Sequence, residues 1–178
     1  GAQFFTAREE QFEELVAGWR AQNLVFRWSN GWSDGSLAPT TPQDGHARYA
    51  VHGGMNSLPK HLAAELGRQG GTIATNIKAI RTLPEEAGWS VQDDSGHTWR
   101  SRSLVLTPPA PQSLALMAAG GVALPPQQHA ALAAITYAPC LCALCWVEGT
   151  VWLPAPGAVQ RTGADIAWIA DNQRKGIS

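Results

Sequence analysis

The chain has 178 residues, of which 44% are hydrophobic and 15% are charged, and its formal net charge at pH 7 is -1. Its 13 basic residues are scattered among 14 acidic ones, whereas proteins that bind nucleic acids usually carry a clustered basic face. No apolar stretch approaches the roughly 20 residues of a membrane-spanning helix, and no signal peptide is recognisable. We therefore expect a soluble, cytoplasmic domain that acts on a small molecule, with neither nucleic acid nor membrane as a partner.

The first predicted element is a helix that follows the apolar opening GAQFF. Thr6 and Glu9 have the spacing of a capping box, which predicts that the helix begins at this point. The apolar residues that follow recur at the spacing of one helical face and are expected to be buried. They are Phe12, Leu15, Val16 and Trp19.

Two short strands and a second helix are expected next. The strands are predicted at 24–28 and 46–51, on either side of a stretch rich in glycine and proline. Leucines at positions 58, 62 and 66 form a helical stripe that ends at Gly70 and Gly71, which predicts a helix of about 12 residues.

Alternating polar and apolar residues predict several strands between 72 and 107, with a hairpin turn at 94–96. The continuous apolar run 104–106 indicates a strand that is buried on both faces. Helices are predicted at 112–119 and 126–135. Strands are predicted at 138–148, 151–153 and 165–171, followed by a polar tail. The acidic pair Asp93-Asp94 is expected to be exposed at the hairpin tip, with ordinary pKa values.

Three cysteines, Cys140, Cys142 and Cys145, lie close together among apolar neighbours. An odd number at this spacing is a poor disulfide framework. A metal site would need a fourth ligand, and the nearest histidine in sequence, His129, lies in a predicted helix. We interpret the three residues as buried strand cysteines and predict no metal site.

The segment GWSDG, at 31–35, matches the nucleophile elbow of serine hydrolases, and HGG, at 52–54, resembles an oxyanion loop. The elbow requires a helix directly after the serine, but Ser33 is followed by a stretch with two prolines and two glycines. The oxyanion loop also normally precedes the elbow. A serine hydrolase is therefore the weakest of the functions considered.

No G-x-G-x-x-G phosphate loop is present in the sequence. The eight tryptophans could line a cleft, although packing in a core explains such residues equally well. Composition and spacing alone therefore predict a mixed α/β chain without an identifiable catalytic set.

The order of several segments is more informative than any one of them. GAQFFTAR, RYAVHGGMNSLPKHLAAEL, TNIKAI with GWSVQDDSG, SLVLTPPAPQ, ITYAPC and IAWIADNQRKG follow one another along nearly the whole chain. In this order they resemble the middle of a renalase-like flavoprotein, a branch of the FAD-dependent amine oxidase superfamily of NAD(P)/FAD-dependent oxidoreductases. The resemblance implies the central part of a two-domain α/β (α+β) flavoprotein.

The resemblance also divides the chain. It assigns 1–6 and 53–110 to a partial FAD-binding domain, and 7–52 and 111–178 to a substrate domain with an antiparallel sheet and flanking helices. In the family the G-x-G-x-x-G unit precedes the G-A-Q-aromatic motif, and a further flavin-contacting segment lies near the C-terminus. We therefore expect FAD in the intact parent, no full FAD binding or catalytic competence in this chain alone, and self-association through surface that the missing segments would cover.

Site residues follow by position from the resemblance. Gly1, Ala2, Gln3 and Phe4 match the segment beside the flavin ring, where many relatives have tyrosine in place of Phe4. Gly54 and Met55 match the entry to a shared helix, Ile77 a strand position near the adenine, and Thr107 and Pro108 the crossover out of the FAD domain. Tyr137 and Trp168 match substrate-domain strands and are candidates for the substrate cavity, with core packing as the alternative for both. No catalytic residue is identified.

The resemblance implies hydride transfer from a dihydronicotinamide-type substrate to the flavin, and then reoxidation by oxygen with release of hydrogen peroxide. In such chemistry the cofactor supplies the reactivity, while the protein contributes orientation and electrostatics. Two alternatives stay open beside the serine hydrolase. One is a flavin-dependent oxidase of primary amines or polyamines, and the other is a non-catalytic binding module with an aromatic cleft.

Overall fold

The computed structural model describes residues 2–36 and 45–177. Its helices and small antiparallel sheets make it a mixed α/β structure, as predicted, and consistent with a partial flavoprotein fold. The elements in chain order are α1 (Glu10–Ala21), β1 (Val25–Ser29), β2 (Arg48–Val51), α2 (Ser57–Arg68), β3 (Ala79–Glu85), β4 (Gly88–Asp93), β5 (Thr98–Ser101), α3 (Ala110–Ala119), α4 (Pro126–Ala133), β6 (Ala158–Gln160) and β7 (Trp168–Ala170).

These elements form two compact units. The first unit spans Gly1–Ile73 and Cys145–Ser178, and the second spans Ala74–Leu144. The first unit thus combines segments from both ends of the printed sequence. The assignment of segments to an FAD-binding domain and a substrate domain stays a prediction.

In the first unit, α1 packs on the antiparallel pair β1–β2. Phe26 lies opposite Ala50 in this pair, and Phe5 adds a short bridge by exchanging backbone hydrogen bonds of 3.0 and 2.8 Å with Tyr49. A core of apolar side chains forms between the helix and the strands, and partly buried residues such as Phe12 and Leu58 pack against it. The buried core residues are Val16, Trp19, Val25 and Val51.

The predicted start and face of the first helix need correction. The N-terminal capping residue is Glu9 rather than Thr6, its backbone is extended, and no side chain caps the helix. The bridge between Phe5 and Tyr49 explains this difference, because it holds the chain extended just before the helix. Leu15 is 55% exposed, since the buried stripe of α1 is narrower than its apolar pattern.

In the second unit, β3, β4 and β5 form an antiparallel meander with α3 packed on β3. Thr82 on β3 is fully buried, and its hydroxyl donates to the carbonyl of Leu116 at 3.4 Å. The helix ends at Ala119, and the backbone of Gly120, its C-terminal capping residue, lies directly against the backbone of Thr82. The predicted helices at 112–119 and 126–135 are confirmed as α3 and α4.

The turn between β4 and β5 lies where it was predicted, but Asp93 is buried rather than exposed. Its carboxylate accepts hydrogen bonds from the amide and hydroxyl of Ser95 at 3.0 and 2.6 Å, from the amide of His97 at 2.9 Å and from Nε1 of Trp99 at 3.2 Å. These bonds, that from the Ser95 hydroxyl first, lower the pKa of Asp93 below its usual 3.8. The expectation of an ordinary pKa was therefore wrong for this residue.

We expect Asp93→Asn to lower the melting temperature of the second unit by about 5 °C at pH 7. A carboxylate with a lowered pKa stabilises the fold above its unfolded-state pKa, and this contribution is lost as the pH falls through the folded-state pKa. The difference between wild type and variant should therefore shrink in thermal unfolding at pH 3. Asp94→Asn is the matched control, because Asp94 is exposed; an equal effect of both substitutions would contradict the role of the buried carboxylate.

Several segments that were predicted as strands are not strands. The run 104–106, predicted as a strand buried on both faces, pairs with no strand among the described residues, and Val105 within it is 82% exposed. Residues 138–148 and 151–153 also form no strand, and large apolar side chains there, among them Leu141 and Trp146, are exposed. An apolar run becomes a buried strand only where a neighbouring strand accepts its hydrogen bonds. Self-association through such apolar surface stays a prediction.

The prediction that the three cysteines are buried in a strand was also wrong. Cys140, Cys142 and Cys145 are all exposed free thiols rather than buried strand residues. Within residues 2–36 and 45–177, no group of three His, Cys, Asp or Glu side chains could hold a metal ion. In the same residues, no helix is long and apolar enough to cross a membrane.

Candidate functional site

Four aromatic side chains of the first unit meet in one place, and we call them the aromatic cluster. The ring centroid of Trp32 lies 4.7 Å from that of Trp28, 4.8 Å from that of Trp168 and 5.0 Å from that of Phe4. The ring pairs of the cluster are all tilted or edge to face, which is a favourable geometry for aromatic pairs. Trp32 is at the centre of the cluster and is only 8% exposed.

The cluster depends on pairing between segments far apart in the sequence. Trp28 lies on β1, and the segment after this strand forms an isolated parallel bridge between Ser33 and Val159 on β6. Trp168 lies on β7, directly opposite Gln160 on β6. This pairing carries Trp168 to Trp28 and Trp32, while Nε1 of Trp28 donates to the carbonyl of Pro156 at 3.1 Å.

A buried lysine lies beside the cluster. Lys175 is 2% exposed, and its Nζ lies 4.5 Å from the centroid of the Trp28 ring. The ammonium group also donates to the backbone carbonyl of Gln3 and, at 3.1 Å, to Oε1 of the same residue. Burial lowers the pKa of Lys175 from 10.5 to about 8, so the side chain is still mostly protonated at pH 7.

A second cation faces the central ring. The guanidinium carbon of Arg48 lies 5.2 Å from the centroid of Trp32, within the range of a cation–π contact. Arg48 also donates to the carbonyl of His46 at 3.0 Å. The aromatic cluster is therefore flanked by two positive charges, on Lys175 and Arg48.

The structure brings together several predicted site residues of the first unit. Phe4 and Trp168, which come from opposite ends of the sequence, have ring centroids 5.9 Å apart. Gln3 binds Lys175 beside them. Met55 packs against the hydrophobic core instead, and Gly54 lies in the turn before α2 with a φ of 97°. Ala2 is exposed, and Gly1 lies outside the described residues.

The remaining predicted residues lie in the second unit. Ile77, Thr107 and Pro108 are exposed. Tyr137 is also exposed, and its hydroxyl accepts a hydrogen bond of 2.9 Å from the amide of Ala110. Their assignment to flavin or substrate contacts stays a prediction.

Sequence reasoning missed Lys175, Arg48 and the pairing of Trp28 with Trp32. The abundance of tryptophan was the one usable signal, because it pointed to an aromatic cleft without saying which residues line it. Lys175 gave no signal, since it lies in a tail that was predicted to be polar and is buried in the structure.

The environment of Ser33 differs from that of a nucleophile elbow. The elbow exposes the serine hydroxyl on a sharp turn, but Ser33 is 6% exposed and lies on a segment that pairs with β6. Its Oγ accepts a hydrogen bond of 3.0 Å from the amide of Gly35. The segment 37–44, where the helix of an elbow would begin, lies outside the described residues.

A comparison with protein families identifies the family of the chain. The model of a family described as flavin-containing amine oxidoreductase matches residues 9–173, nearly the whole chain. The matched range includes Trp28, Trp32 and Trp168 of the aromatic cluster.

Proposed function

Because the chain belongs to the flavin-containing amine oxidoreductase family, we propose that it is the ring-side part of a renalase-like enzyme. In this proposal the overall reaction is the oxidation of a dihydronicotinamide-type substrate by oxygen, with uptake of one proton and formation of hydrogen peroxide, and FAD would be the cofactor. Membership of the family supports the coarser part of the proposal, namely that the protein is a flavin-dependent oxidoreductase. The aromatic cluster is the observation that supports the finer part.

The cluster joins two regions that the resemblance assigns to the two sides of the reaction. Gln3 and Phe4 belong to the segment expected beside the flavin ring, and Trp168 belongs to a strand expected at the substrate cavity. The 5.9 Å between the Phe4 and Trp168 centroids makes these two expectations spatially compatible.

The residues present fit the ring end of a flavin. An aromatic face and an amide side chain suit a planar, electron-accepting ring, so Gln3 and Phe4 are the residues that would hold it, with the buried Lys175 behind Gln3. When bound, the flavin supplies a hydride acceptor that oxygen reoxidises. The pyrophosphate would need backbone donors of the G-x-G-x-x-G type, which the printed sequence does not contain.

The side chains of the cluster contribute binding and orientation. In this proposal the partly exposed rings of Phe4, Trp28 and Trp168 contact a flat ring, while the buried Trp32 packs between them and fixes their positions. Lys175 fixes the backbone and side chain of Gln3, and Arg48 fixes a positive charge over Trp32. No group of the cluster is assigned a proton-transfer step.

The buried ammonium of Lys175 favours one substrate class over the other. A protonated amine would be repelled by this charge, at a cost of about 1 to 4 kcal/mol for two positive charges 4 Å apart, depending on how strongly water screens them. A neutral dihydronicotinamide ring does not meet this penalty, and the phosphates it carries are attracted. The charge pattern therefore supports a dihydronicotinamide over a primary amine or polyamine.

Tryptophan fluorescence can test the substrate class on the chain itself. We expect saturable quenching by dihydronicotinamide dinucleotide isomers and no quenching by benzylamine, because only the former matches the rings and charges of the cluster. Arg48→Gln should weaken the response to the dinucleotide by about tenfold. Quenching by benzylamine alone would instead favour the amine oxidase, and quenching by neither compound would contradict the proposal.

The absorption spectrum of the purified chain tests a second expectation. Since the sequence lacks a pyrophosphate loop, we expect no stoichiometric flavin bands after incubation with FAD and gel filtration. A stable yellow protein would overturn this expectation. In that case, anaerobic bleaching by dihydronicotinamides, compared with bleaching by benzylamine, would test the redox proposal directly.

A further inference from the structure

Lys175 is an unusual residue to bury. In the described part of the chain, no carboxylate lies within ion-pair distance of its Nζ. A buried ammonium without a carboxylate normally costs several kcal/mol, and an apolar side chain would fill the same volume at a lower cost. The contacts of the ammonium group therefore have to explain why this lysine is buried.

The ammonium binds two oxygen atoms of a single residue. Both the backbone carbonyl and Oε1 of Gln3 accept hydrogen bonds from Nζ, although the two residues are 172 positions apart. The Trp28 ring faces the same positive charge at 4.5 Å. Lys175 is itself fixed by the turn after β7, where its amide donates to the carbonyl of Asp171 at 3.1 Å. The turn after β7 and the Trp28 ring thus hold the ammonium in place, and the ammonium in turn binds Gln3.

The segment that contains Gln3 is also attached to the unit at Phe5. Among the described residues before α1, Phe5 exchanges a pair of backbone hydrogen bonds with Tyr49, and its ring packs against the hydrophobic core. Phe4 is held between these two anchors, with its ring against Trp32 and Trp168. The position of Phe4 on the cluster therefore depends on a lysine bond on one side and a short bridge on the other.

We infer that Lys175 is a positioning residue, whose bonds to Gln3 hold Phe4 and its neighbours on the aromatic cluster. This inference rests on the proposed function for its catalytic meaning, since the same segment is the one proposed to lie beside the flavin ring. Lys175 acts through Gln3 and is not itself assigned to contact substrate or flavin. Its loss should loosen the segment locally rather than unfold the unit.

Amide hydrogen exchange of the chain without flavin can separate these two effects. The amide of Phe5 reports on the segment, whereas the amide of His52, which donates to the carbonyl of Leu24 at 3.0 Å, reports on the β1–β2 end of the unit. In Lys175→Met we expect the Phe5 amide to exchange about 10 to 100 times faster and the His52 amide to change by less than about threefold.

Two further variants serve as control and rescue. Lys60→Met makes the same chemical change at an exposed position of α2 and should leave both amides unchanged. Lys175→Arg keeps a positive donor and should restore at least part of the Phe5 protection. An unchanged Phe5 amide in a folded Lys175→Met protein would overturn the inference, as would equal acceleration of both amides.

Gln3→Glu provides an independent test if Lys175→Met does not fold. A carboxylate in place of the Gln3 amide would form a charged pair with the ammonium, so we expect Phe5 exchange to slow by about three- to tenfold at pH 7. Unchanged or faster exchange would count against the inference. Because no flavin is used, a protected Phe5 in a chain that binds no dihydronicotinamide would contradict the proposed function alone.

Discussion

Replacing Trp32 by alanine is expected to lower the free energy of unfolding of the first unit by about 3 to 5 kcal/mol. Trp32 is 8% exposed and touches the other three rings of the aromatic cluster, so alanine would leave a cavity among large side chains that cannot close around it. The Arg48 guanidinium would also lose its aromatic face. Urea unfolding followed by circular dichroism measures the loss.

The chain contains a matched control for this substitution. Trp152 is 88% exposed in the same unit, so Trp152→Ala should change the free energy of unfolding by less than about 0.5 kcal/mol. Trp32→Phe keeps an aromatic ring and should cost about 1 to 2 kcal/mol. If Trp32→Ala and Trp152→Ala had equal effects, the cluster would not be a packed part of the fold.

Gly120→Ala is expected to destabilise the second unit by at least about 3 kcal/mol. A Cβ atom at this position would lie 1.7 Å from the carbonyl oxygen of Thr82 and 2.6 Å from its carbonyl carbon. The φ of Gly120 is -98°, which alanine adopts freely, so the clash with the backbone is the whole cause of the effect. Relief would require α3 to move away from β3.

Gly18→Ala is the control for this prediction. Gly18 is exposed on α1, and a Cβ added there would meet no atom within 4 Å. Alanine should therefore raise the free energy of unfolding by about 0.5 to 1 kcal/mol, because it restricts the unfolded chain and favours the helix. If urea unfolding shows that Gly120→Ala lowers the free energy of unfolding and Gly18→Ala raises it, both predictions are confirmed. If Gly120→Ala leaves the free energy of unfolding unchanged, α3 does not approach β3 so closely.

The proposed function connects these stability effects to chemistry. The residues of the aromatic cluster are also those that would receive a flat ring, so the Trp32 variants should lose dihydronicotinamide quenching together with stability. Arg48→Gln and Gln3→Glu change charge with little change in packing. They therefore separate recognition by charge from recognition by shape.

Local signals predicted much of the secondary structure. The apolar stripe of leucines predicted α2, and Gly70 and Gly71 after it correctly predicted where it ends. The hairpin turn before β5 was recognised for the same kind of reason, because turn residues act on the backbone of their own neighbours. Such signals need no information about distant segments.

Predictions of burial failed where they required a partner. The pattern at 104–106 and the cysteines at 140–145 are typical of buried strands, but no strand of the described chain pairs with them. The prediction for Asp93 failed in the opposite direction, since this residue was expected to be exposed and is buried. Its four hydrogen-bond donors come together around the carboxylate only when the hairpin closes. Apolar periodicity says which face of a segment prefers burial but not whether another segment covers it.

The amino-acid sequence by itself determined the helices, the hairpin turn and the order of segments that pointed to a flavoprotein family. Only the tertiary structure decided that Phe4, Trp28, Trp32 and Trp168 form one cluster and that Lys175 is buried beside it against Gln3. The physical reason is that this site depends on the pairing of the segment after β1 with β6, and of β6 with β7. The first of these pairings joins residues more than a hundred positions apart, Ser33 and Val159, and no local pattern of residues encodes it.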